Sequence, residues 1–132
     1  MLQTELSNAF NSISREAIVA GLRGILPLVR MSYGGPSELF LDAGFKSPPI
    51  ASVTGVRQGD PLGPLLFAAG IHPSLSATAA TFATVLCLAF ADDVTFLGKA
   101  TECTAAFRHF MNSLLSVGLR HCWCKGLINS GY

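Results

Sequence analysis

The chain has 132 residues, enough for one modest domain around a single core. Half of them are hydrophobic and 13% are charged, which excludes a disordered chain and suggests surfaces meant to be covered. Nine Lys and Arg against eight Asp and Glu give a net charge of +1, so charge alone carries no nucleic-acid signal.

The opening stretch MLQTELSNAF has no basic n-region and no long apolar run, and is not a signal peptide. Leu2 to Leu6 reads as a short strand. It starts abruptly, so further chain is expected before Met1. Ser14 is a plausible N-cap for a helix opening at Glu16 and Ala17, with apolar residues at Ile18, Leu22, Ile25, Leu26 and Val29. Pro27 should kink or split that helix. Gly34-Gly35-Pro36 is a turn. Glu38 to Leu41 and Ile50 to Val56 read as a hairpin joined through Ala43 to Pro49.

From Pro61 to Ala91 the only ionisable side chains are His72 and the Cys87 thiol. That length invites a membrane reading. Three prolines, several Ser and Thr and the closing Asp92-Asp93 favour a helix from about Pro64 to Leu75, then a buried strand from Thr84 to Phe90. Ala91-Asp92-Asp93 is a tight turn and Val94 to Leu97 the return strand. Glu102 to Val117 reads as an amphipathic helix with Phe107, Phe110, Met111, Leu114 and Leu115 on one stripe and Gly118 as its C-cap. The tail holds one more strand. The order β, α, hairpin, α, hairpin, α, β predicts an α+β fold, helices on one face of an antiparallel sheet. Of the four cysteines, Cys122-x-Cys124 beside His121 lacks the second pair of a zinc site, and reduced thiols are the default.

Three segments could carry chemistry. Phe90-Ala91-Asp92-Asp93 sets two carboxylates at a hairpin tip, where they repel each other unless a cation is bound. Magnesium takes oxygen ligands, few of them from protein. The plain alternative is a solvated Asp-Asp turn. Gly55-Val56-Arg57-Gln58-Gly59-Asp60-Pro61-Leu62-Gly63-Pro64 joins a glycine turn to a helix start, where backbone amides and Arg57 could face a phosphate. It could equally be an ordinary loop with Asp60 near a helix N-terminus. Glu5 to Asn11 ends a strand with a carboxylate, five residues before Phe10, or is simply a capping turn. His72, His109 and His121 have no evident partner.

Together, TELSNAFNSISRE, GVRQGDPLGPLLFAAGIHPSL, LAFADDVTFLG and SVGLRHCWCKG resemble motifs A to D of reverse transcriptases, in the same order and at similar spacing. The wording is closest to non-LTR, LINE-like retrotransposons. The resemblance covers nearly the whole chain. It implies residues 1–132 are a partial reverse transcriptase domain: the α+β palm, ferredoxin-like or RRM-like, without fingers and thumb. It implies two-metal nucleotidyl transfer with two magnesium ions, or manganese, held by Glu5, Asp92 and Asp93. Phe10 becomes the gate sensing the sugar of the incoming nucleotide. Gln58 and Gly59 lie along that nucleotide and the template, with Arg57 in the same block. Ala91 lies near the primer end, and Lys125 is a candidate acid for the pyrophosphate. The implied partners are an RNA template, a DNA primer, dNTPs and the remaining polyprotein segments, inside the cell and without a membrane.

The chain departs from that pattern at Glu5, where the family has aspartate. The extra methylene moves the carboxylate by about an ångström, and such a misplacement can cost roughly a hundredfold in rate. Motif D is irregular around His121-Cys122-Trp123-Cys124. A second reading follows: a decayed retroelement remnant without catalysis, at most an interaction module.

Overall fold

The computed structural model describes residues 1–22, 26–41, 44 and 47–128, with 121–128 entering through their backbone. Strand β1 covers Leu2–Ser7 and ends where Asn8 turns into the left-handed region at φ 47. A one-turn helix, α1 (Ala9–Ser12), follows. Ser14 then caps α2 (Arg15–Gly21), its hydroxyl oxygen accepting the Ala17 amide at 3.3 Å. The helix is split, as Pro27 foretold. Helix α2 stops before Leu22, and α3 (Leu26–Tyr33) restarts with Pro27 at its second position, where proline's missing amide costs nothing. Ile25 lies outside the described residues.

The first hairpin forms but is shorter than expected, β2 (Ser37–Leu39) with β3 (Ile50–Ser52), making a separate two-stranded sheet. Gly55 and Val56 leave the strand because their backbone bonds α1 and its C-cap instead: the Gly55 amide donates to the Ile13 carbonyl and the Val56 amide to Phe10, both at 2.8 Å.

Helix α4 spans Gly63–Thr81, six residues past the expected end at Leu75. Pro73 inside it offers no amide to the Ala69 carbonyl. That carbonyl faces Gly21 of α2, where an added Cβ would sit 2.2 Å from the oxygen. Glycine there lets the two helices meet backbone to backbone.

Strands β4 (Leu86–Phe90) and β5 (Asp93–Leu97) flank the two-residue loop Ala91-Asp92. Ala91 takes φ 54, as the first loop residue of the tight hairpin turns does. Helix α5 (Ala100–Leu115) ends with the Leu119 amide on Leu114 and the Gly118 amide on Leu115, Gly118 at φ 81, a Schellman closure. Strand β6 (Arg120–Ile128) is the last of the described elements.

The main sheet has the order β4-β5-β1-β6, with every neighbouring pair antiparallel. With helices between its first and second and its third and fourth strands, this is the ferredoxin-like split βαβ arrangement. The α+β expectation holds. Val94 and Phe96 of β5 and Leu6 of β1 face α4 and α5, and Phe96 meets the rings of Phe107 and Phe110 edge-on. Two expectations fail. Leu115 is exposed, because the α5 stripe that reaches the core runs through Cys103, Ala106, Phe110 and Leu114. Strand β4 is not a buried strand either: it is the sheet edge, and Leu86, Leu88 and Phe90 lie exposed. No helix among the described residues is long and apolar enough to cross a membrane.

Candidate functional site

The sheet order sets β1 directly beside β5, and the register pairs Glu5 with Asp93. Paired residues of antiparallel strands carry Cβ atoms about 4.5–5.5 Å apart on the same face. The turn residue Asp92 is drawn to the same place, because its carbonyl accepts the Leu6 amide at 2.9 Å. Three acidic residues, nearly ninety positions apart in sequence, are thus backbone neighbours at one end of the sheet.

Beside them lies an open cleft of about 580 Å³. Glu5 and Asp92 form one wall, Phe10 of α1 another, and the loop Arg57-Gln58-Gly59 a third. The bonds of Gly55 and Val56 to Ile13 and Phe10 hold the walls together, along with the Thr54 hydroxyl donating to the Asn11 carbonyl at 3.1 Å. Phe10 is half-buried and stacks on Phe67 at 4.6 Å between ring centroids, so it serves core and cleft at once. Asp93 and Ala91 do not line the cleft. Lys125 falls in β6 where the pairing with β1 shifts register, and its side chain lies outside the described residues, as do those of His121, Cys122 and Cys124.

The donor set of Glu5, Asp92 and Asp93 is oxygen only, which suits a hard divalent cation. Among the described residues no three His, Cys, Asp or Glu side chains converge as a metal-holding group. The carboxylates are thus neighbours without forming a closed triad. The cysteines Cys87 and Cys103 are free thiols, and burial pushes the Cys87 thiol up.

Behind the loop is a brace that the sequence did not announce. Tyr33, at the end of α3, is 2% exposed. Its hydroxyl accepts the Arg57 amide at 3.0 Å and donates to the Asp60 carboxylate. The other Asp60 oxygen accepts the Leu62 amide at 2.8 Å, just before α4. The Arg57 and Arg15 guanidiniums lie over the Tyr33 ring, 5.3 and 5.5 Å from its centroid. Arg57 also donates to the Ser32 carbonyl at 2.8 Å and the Ser37 hydroxyl at 2.7 Å. Buried Arg15 donates to the carbonyls of Gly35 and Gly55, at 2.9 and 3.2 Å. Burial, then the Arg57 charge, lowers the Arg15 guanidinium. Burial, then the bond to Asp60, raises the Tyr33 phenol. The Tyr33 hydroxyl, then the Leu62 amide, lowers the Asp60 carboxyl.

No protein-family model matches the chain. It is similar to the Retrotransposable element SLACS 132 kDa protein of Trypanosoma brucei gambiense, 38% identical over 102 residues, 72% of this chain. By this likeness the chain is a relative of a retrotransposable-element protein, of whose length it spans 9%.

Proposed function

We propose that the chain is the palm of a retroelement reverse transcriptase, whose reaction is template-directed nucleotidyl transfer onto a primer. The observation that carries the reading is the pairing of Glu5 with Asp93, with Asp92 on the adjoining turn and a cleft of about 580 Å³ alongside. Glu5, Asp92 and Asp93 are the residues that would hold magnesium, which when bound would steady the attacking and leaving oxygens of the transfer. Phe10 closes the side of the cleft where the nucleotide sugar would lie. Gln58 and Gly59 offer an exposed amide side chain and an open backbone, Gly59 having no heavy atom within 4 Å of where a Cβ would be. The retrotransposable-element relative supports the same reading.

The test is primer extension on a primed RNA template with dNTPs and magnesium, fingers and thumb being supplied from a related retrotransposon protein. Asp92→Ala should remove extension. Glu5→Asp should raise it, by roughly a hundredfold if the added methylene costs what a 1 Å misplacement costs. Chelating the magnesium should stop the reaction in both active forms. Extension by Asp92→Ala at the level of the unaltered chain would overturn the proposal. Silence of all three forms would favour the remnant reading.

A further inference from the structure

We propose that Tyr33 is the positioning residue of the Arg57–Asp60 loop, its single hydroxyl pinning both stems so that Gln58 and Gly59 are presented to the cleft. The consequence for nucleotide binding rests on the function proposed above; the hold on the loop does not.

One oxygen takes the Arg57 amide and gives its proton to Asp60, three residues further on. Asp60 passes the hold to Leu62 and so to the start of α4. The loop's own backbone closes the same span, with the Asp60 amide on the Arg57 carbonyl at 3.2 Å. The tip between the stems is exposed, and Gly59 stands at φ 84. A tip this open, carrying one residue in the left-handed region, needs its ends fixed if it is to meet a ligand in one conformation. The Tyr33 ring is itself fixed: buried, at the end of α3, with two guanidiniums over it. A ring chosen only for bulk would not need its hydroxyl on both stems.

The experiment compares the chain with Tyr33→Phe, which removes one oxygen and leaves the ring. Amide hydrogen exchange at Arg57 and Leu62 should quicken by roughly tenfold or more, a range set by the loss of a hydrogen bond to a charged group. The β5 amides should not change. The Asp60 carboxyl, followed by NMR, should titrate at higher pH, because its largest depressing contact is gone. Binding of a dNTP with magnesium should weaken by a similar factor. Unchanged exchange at Arg57 together with an unchanged Asp60 titration would overturn the proposal. So would a loosened loop that binds nucleotide as well as before. Loosening in the variant, with no nucleotide binding by the unaltered chain, would sink the proposed function and leave the Tyr33 hold standing. If Tyr33→Phe fails to fold, Asp60→Ala carries the test at the other stem: Arg57 amide exchange should quicken because the Tyr33 hydroxyl loses its anchor, and unchanged exchange there would overturn the proposal.

Discussion

Gly55, which lies just before the cleft-lining residue Val56, has little latitude. Its φ is 72, and a Cβ there would stand 2.5 Å from the Asn11 carbonyl oxygen. Gly55→Ala should therefore destabilise the chain by about 1–3 kcal/mol. Gly35→Ala, with no atom near the new Cβ, should stay within roughly 0.5 kcal/mol. Urea denaturation midpoints check both. Asp60 gives a pH dependence. Its carboxyl is held below its ordinary value, so it adds stability above the unfolded pKa of about 4. That stability is lost as pH falls through the lower folded value. Unfolding free energy should drop more steeply below about pH 4 in the unaltered chain than in Tyr33→Phe. At this scale the sequence was only partly readable. Glu5, Phe10, Gln58 and Asp92 stood out through motif wording, and they do share a wall-to-wall cleft. Tyr33 did not, because a bond to residues 24 and 27 positions away leaves no periodic trace.

Elements were readable where local chemistry alone decides them. Ser14 caps α2, and Gly118 in the left-handed region closes α5, as their residue types foretell. The bounds that went astray were set by distant partners. Strand β3 is cut short by bonds to α1, and α4 runs on through Pro73 because α2 packs against it. Leu115 follows the apolar stripe of α5 in sequence yet points away from the core in space. Phe110→Ala should cost about 3–5 kcal/mol, since Phe110 is fully buried against Phe96. Leu115→Ala should be near neutral by the same thermal or urea measurement.

For the molecule as a whole, the α+β class was legible from the order of elements, but the edge position of β4 was not. An apolar strand reads the same whether one face or two are covered. The result is a sheet edge with Leu86, Leu88 and Phe90 exposed together. Unprotected apolar edges template pairing with other chains. The isolated chain should self-associate, and Leu86→Lys with Leu88→Lys should return it toward monomer in light scattering without lowering its melting temperature.

The place of β1 in the middle of the sheet has a temporal consequence. This strand is synthesised before both of its neighbours, β5 and β6. At the usual 5–20 residues per second, it waits on the order of 5–20 s for β5 to emerge. The hairpin bearing Asp92 and Asp93 is local in sequence and can close quickly, whereas Glu5 meets it only through a long loop. The acidic cluster therefore comes together only after its own hairpin, and before β6 can complete the sheet.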